Sequence, residues 1–355
     1  MKLSIIATAA MAGVLAPALL CASGASAAAA LPVMSATFLQ PSGTTIPWNG
    51  QQYQREITLE RAVGITEIVD QWTVDEDANQ AYYPDPSGWY PRSDDMTDPL
   101  LSAAGQAGDT VWLGLANVSA WQSHAGDATW LNNQLYIDER IANQLYSLYK
   151  STKAFVGWYV PFEVSDQQLT AADTGPVGSF FSSLAGYLHT HDGNKPVMTS
   201  PTYEHLTMSP AQFAAAVRSV LGSLDVISVQ DIGGSGYETP ADITQWFTAL
   251  HNALAGTRSA LWDDPDMFSA ANKGGPMTPS QFQADLKAAY GLVSGVLRVL
   301  LHHSDGPEPH RHQLVLQRLP DLRTRTSLTL SQADVRHPVL QESPTPGGRD
   351  GVSLS

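Results

Sequence analysis

From Met34 onward, short β-rich apolar runs alternate with longer segments of helical period, and the alternation repeats seven times. The strand-like runs fall at 34–40, 65–74, 110–115, 154–161, 195–201, 226–230 and 259–262. The helical segments fall at 51–62, 99–107, 137–151, 177–190, 209–222, 240–255 and 278–294. Strand then helix, repeated, is the pattern of a parallel sheet covered by its crossover helices. Three helix starts are marked locally: Ser209-Pro210-Ala211-Gln212, Thr239-Pro240-Ala241-Asp242 and Thr278-Pro279-Ser280-Gln281. Each places a hydroxyl at the N-cap, proline at the first helical position and an acceptor side chain at the third, so orphan amides are satisfied reciprocally. Seven units stand one short of an α/β (β/α)8 TIM barrel, which usually takes about 250 residues. An open doubly wound sheet is the other arrangement this order allows. The first strand runs into Phe38-Leu39-Gln40-Pro41-Ser42-Gly43, which is no Gly-rich phosphate loop, and that counts against a nucleotide-binding version.

Both ends depart from this pattern. Lys2, the apolar run Leu3 to Leu20 and the small residues Ala22 to Ala30 form a secretory signal, with Ala25-Ser26-Ala27 as the cleavage site. Cleavage over 1–27 yields a secreted protein with no membrane anchor and removes Cys21, the single cysteine, so disulfides and thiolate chemistry drop out. The barrel is expected over 28–295. All 30 aromatic residues precede residue 296, and five of the ten histidines follow it. Over 297–323 every residue except Ser304 can be encoded by a codon beginning with C or G, as when a GC-rich third position is read as a first. A one-base shift is compatible with YAFSFTTQMDPNRIGTNSYYNAYRTY from residue 297. The eighth βα unit is therefore expected to be lost to a frame shift near Gly295, leaving 296–355 as an aberrant, disordered tail. His302, His303, His310 and His312 then have no selected role as metal ligands.

Residues 1–295 carry 12 basic and 28 acidic side chains, too acidic a balance for a nucleic-acid binder. In a barrel the polar residues just after each strand form the site. Here they are Gln40, Gln71, Trp72 and Asp75, Asn117, Trp121, the run Gly157 to Glu163, Tyr203, Gln230, Asp231, and Trp262 to Asp266. Carboxylates interleaved with aromatics suit sugars, because glycoside hydrolysis uses two carboxyl groups and rings stack on apolar sugar faces. Glu163 is the candidate acid/base, since burial beside Trp158 and Tyr159 would raise its pKa. Asp266 is the candidate second carboxylate, with Asp231 or Asp264 as substitutes. Gln40, Gln71, Trp72, Asn117, Trp121, Tyr159, Tyr203, Gln230 and Trp262 are the candidate substrate-binding set. No cofactor or metal is expected. Asp75-x-Asp77-x-Asn79 begins like a calcium loop, but Gln80 replaces the required Gly and Pro86 the bidentate Glu.

Four segments carry a resemblance: Thr37-Phe38-Leu39-Gln40, the run Ala62 to Thr73, Gly157 to Glu163, and Val229-Gln230-Asp231. In order and at barrel spacing they resemble the bacterial secreted family called domain of unknown function 4434, over about residues 34–295. The resemblance implies a glycosidase-like (β/α)8 barrel, with Glu163 and Gln230-Asp231 at the family's polar rim positions. Members generally lack an assigned substrate. The expected function is hydrolysis of glycosidic bonds in a poly- or oligosaccharide by a monomer. The alternatives are a non-catalytic carbohydrate-binding barrel and an inactive, truncated product of the frame shift.

Overall fold

The computed structural model describes residues 34–299, apart from 44, 171–172, 205–206, 237 and 273–274. The expected signal segment, 1–27, and most of the expected aberrant tail, 296–355, lie outside the described residues. Eight parallel strands close into a barrel: β1 (Ala36–Leu39), β2 (Glu67–Asp70), β3 (Thr110–Gly114), β4 (Phe155–Tyr159), β5 (Val197–Thr199), β6 (Val226–Gln230), β7 (Ala260–Asp264) and β8 (Gly295–Val299). Each strand pairs with its sequence neighbours, and β8 closes the ring on β1 with Ala36 opposite Leu297. Among the described residues seven α-helices lie outside: α1 (Gly50–Ala62), α2 (Thr97–Ala107), α3 (Ala128–Tyr149), α4 (Thr174–His191), α5 (Pro210–Leu221), α6 (Pro240–Leu254) and α7 (Pro279–Ala289).

The expected loss of the eighth strand is not met, and the edges of β1 and β7 are paired. The reason is local: Val296 and Leu297 still alternate between the two faces. Leu297 is fully buried inside the barrel, while Val296 packs outside against Met34, Ile65, Phe282 and Leu286. Backbone pairing asks only for extended residues, and this short apolar run supplies them. The expected loss of the eighth helix concerns residues outside those described.

The alternation of strand side chains builds two cores. Ala36, Phe38, Val69, Trp112, Tyr159, Met198, Val226 and Leu297 fill the barrel, and the larger cluster lies between strands and helices. Two glycines make the inner layer possible. A Cβ on Gly157 would stand 2.2 Å from the Trp112 ring, and one on Gly295 would stand 2.5 Å from the Trp262 ring. Those two indoles meet edge to face across the lumen, with centroids 6.3 Å apart.

The three marked helix starts are capping boxes as expected, at Ser209, Thr239 and Thr278. α3 begins well before its expected start at 137. Asp127 caps it by accepting from the Thr129 and Trp130 amides (2.9 and 3.1 Å), which carries the helix through a polar stretch that apolar periodicity does not mark. The second expected strand divides. β2 stops at Asp70, and Val74–Asp75 joins Gln80–Ala81, Arg92–Ser93 and Ala116–Asn117 in a small sheet near the barrel mouth.

Candidate active site

Glu163 follows β4 by four residues, at the C-terminal mouth of the barrel. Its carboxylate accepts from three neighbours. Tyr159 Oη and Gln71 Nε2 donate to Oε1 (2.6 and 3.1 Å), and Gln230 Nε2 donates to Oε2 (3.0 Å). Residues from β4 and from the ends of β2 and β6 thus converge on one group. Burial pushes the Glu163 pKa up, the three donors pull it down, the Glu204 charge pushes it up, and the net direction is upward. A group that must hold a proton and later release it benefits from both influences.

Glu204 lies one residue beyond Tyr203 on the β5 side and is exposed. The sequence reading stopped at Tyr203, although a carboxylate after a strand end is the same signal that singled out Glu163.

The ends of β6 and β7 carry a second acidic group: Asp231, Asp263, Asp264 and Asp266, joined by Asp285 of α7. Asp231 is fully buried and acts as a bracket. Its amide donates to the Asp264 carbonyl (3.1 Å), and its Oδ1 accepts from the Asp266 amide (3.1 Å). This bracket sets the loop on which Asp266 sits. Asp266 is half-buried and accepts from the Ser235 amide and hydroxyl (3.1 and 3.3 Å). Burial raises its pKa to about 6 against these donors, with the Asp285 charge adding to the rise. Asp285, also raised by burial to about 6, was missed in the sequence. Its signal was present: Phe282, Asp285, Leu286 and Ala289 form the buried stripe of α7, with a carboxylate where an apolar residue belongs.

Asp263 and Asp264 point to opposite sides of β7. Asp263 faces outward, fully buried, with neither carboxylate oxygen hydrogen-bonded. Burial pushes its pKa well up, as do the charges of Asp285 and Asp266. Asp264 faces the mouth at 1% exposure, and its Oδ2 lies 2.6 Å from Ser200 Oγ. Burial again dominates its upward shift, with Ser200 opposing and the charges of Glu163, Asp266 and Asp263 adding to it. None of these residues is paired with Lys or Arg among the described residues. Among the described residues no group of three or more His, Cys, Asp or Glu is arranged to hold a metal ion.

The remaining expected residues divide by exposure. Gln40, Asn117 and Trp72 follow strand ends and are half-buried; Trp72 packs against the cluster between strands and helices, with its Nε1 unpartnered. Trp121 is buried flat against Phe162 (5.2 Å, 6°), and Tyr203 flat against Trp246 (4.1 Å, 6°). Their faces are spent on packing, so they shape the rim from beneath. Tyr159 is fully buried and offers Glu163 its hydroxyl, while Trp262 belongs to the inner layer of the barrel.

A closed barrel of eight parallel strands ringed by helices is the TIM-barrel fold. Solved structures share it. A candidate α-L-fucosidase from Bacteroides thetaiotaomicron VPI-5482 is similar at 17% identity, with 82% of this chain and 96% of that chain covered and a TM-score of 0.67. An endo-1,4-β-mannanase from Eisenia fetida is similar at 15% identity, covering 84% and 92%, with a TM-score of 0.50. Residues 34–303 match the family described as domain of unknown function DUF4434, and the chain belongs to that family. No curated protein matches it.

Proposed function

We propose that this protein hydrolyses O-glycosidic bonds of a poly- or oligosaccharide, with Glu163 as general acid/base and Asp266 as the second carboxylate. The observation that carries this is the Glu163 cradle. A partly exposed carboxyl at the barrel mouth, desolvated yet held by Tyr159, Gln71 and Gln230, is poised to exchange a proton. Asp266 is the choice for its partner because it is the mouth carboxylate of β7 that remains partly open to solvent. The test is a panel of oligosaccharides and aryl glycosides assayed with wild type, Glu163→Gln and Asp266→Asn. Loss of turnover with retained ligand binding in both variants supports the proposal; unchanged hydrolysis in Glu163→Gln overturns it.

A non-catalytic carbohydrate-binding barrel is favoured by one observation: Asp231, Asp263 and Asp264, three of the four carboxyl groups at the ends of β6 and β7, are fully buried. Binding of glycans without turnover by wild type would select that reading.

Export through residues 1–27 and a reading-frame shift near Gly295 belong to the same proposal. Mass spectrometry of the secreted protein reads the first, with a new N-terminus at Ala28 expected. Resequencing the codons for residues 294–297 reads the second, and an intact frame there removes it.

A further inference from the structure

The hydroxyl of Ser200 stands between two acceptors. Its Oγ lies 2.7 Å from the Ser228 carbonyl oxygen and 2.6 Å from Asp264 Oδ2. A serine hydroxyl carries one proton, and a carbonyl oxygen carries none. Two short contacts therefore need a second proton. If Ser200 donates to Ser228, as the carbonyl requires, the contact with Asp264 is hydrogen-bonded only when Asp264 donates.

The surroundings agree with this count. Asp264 Oδ1 is buried without a partner, which is tolerable for the carbonyl oxygen of an acid and costly for an anion. Glu163 and Tyr159 act on Asp264 from the β4 side and Asp263 and Asp266 from β7, and among the described residues no Lys or Arg pairs with it. On the β6 side stand Ser228 and Gln230, both neutral.

We propose that Asp264 works as a neutral carboxylic acid that donates to Ser200, and that it is a positioning residue for Glu163. The path is explicit. Asp264 Oδ2–H fixes the Ser200 hydroxyl, which donates to Ser228. The Ser200 carbonyl in turn accepts from Gln230 Nε2 (3.1 Å), and the same amide donates to Glu163 Oε2 (3.0 Å). The ends of β5, β6 and β7 are tied into one ordered chain that ends on Glu163. A neutral Asp264 also keeps a second anion away from that carboxylate. The role presupposes the glycosidase reading, but the protonation state does not.

The test separates the two. Infrared spectra at pH 7 of wild type, Asp264→Asn and Ser200→Ala are compared in the carboxylic-acid C=O region. Loss of one acid band in Asp264→Asn and a shift of that band in Ser200→Ala are expected. Should Asp264→Asn fail to fold, the Ser200→Ala shift reads the same proton. No band difference in either variant overturns the proposal, whatever the substrate. On a responsive glycoside, Asp264→Ala is expected to lose about a hundredfold in kcat and to move the Glu163 limb of the pH profile. Asp264→Asn, which keeps a donor for Ser200, restores activity to within about tenfold of wild type. Equal losses in the two variants would make Asp264 a charged participant and overturn the positioning role. Absence of hydrolysis in every protein, with the infrared result intact, would remove the glycosidase reading alone.

Discussion

Glu163, at the end of β4, accepts three hydrogen bonds, whereas Asp263, on β7, accepts none. Burial pushes the pKa of both upward, and neither pairs with Lys or Arg among the described residues. The donors around Glu163 let it carry charge where desolvation alone would forbid it. On the β6–β7 side Asp231, Asp263 and Asp264 are fully buried with few donors, so protons are the means by which those groups are accommodated. The first arrangement suits a group that changes charge during a reaction. The second suits groups that stay neutral and hold the loop carrying Asp266.

The sharpest way to break this contrast is to remove the donor-rich carboxyl. Glu163→Gln is expected to lower kcat on a responsive glycoside by about 10²–10⁴-fold without lowering the melting temperature. A matching loss of stability would place Glu163 among the structural acids of the other side. Next comes space inside the barrel. Gly157→Ala would drive a methyl into Trp112 behind the Glu163 side, costing about 1–3 kcal/mol by chemical denaturation. An unchanged midpoint would mean that the inner layer is loosely packed.

The donor-poor side predicts a pH dependence. Asp266 and Asp285 have folded pKa values of about 6 against 3.8 for the free group, so the unfolded chain ionises first. Their contribution to stability is fully present below about pH 4 and is lost as pH climbs through 6. Melting curves between pH 4 and 7 check this, and Asp285→Asn should flatten the fall. A rise in stability over that range would show that these groups ionise with a partner. A smaller effect separates the sites again: Gln71→Leu removes one donor from Glu163 and should move the ionisation of that group upward in the pH–rate profile. Smallest is the exposed cap of α6: Thr239→Ala is expected to cost about 1 kcal/mol with activity unaffected.

Much of the barrel was readable because its signals are short-range. The capping boxes at Ser209, Thr239 and Thr278 are each four residues long, and strand runs such as 226–230 match β6 to the residue. Glu163 and Gln230 were readable because the ends of barrel strands share one rim. Less readable were signals that depend on what lies opposite. Trp121 and Tyr203 look like sugar platforms until Phe162 and Trp246 cover their faces. The tail composition at Gly295 argued for an open barrel, yet Val296 and Leu297 suffice to continue the ring.

The sequence by itself determined the succession of strands and helices, the helix starts, and which carboxyl groups stand after strand ends. Those properties follow from backbone geometry and from neighbours within a few residues. Only the tertiary structure decided which of those carboxyl groups meet hydrogen-bond donors. Ser200, Ser228 and Asp264 come from three strands, Glu163 draws its donors from three more positions, and a proton's place depends on every acceptor within reach. Hydrogen-bond partners far apart in the chain are set by barrel closure, and so is the difference between an acid that reacts and an acid that holds.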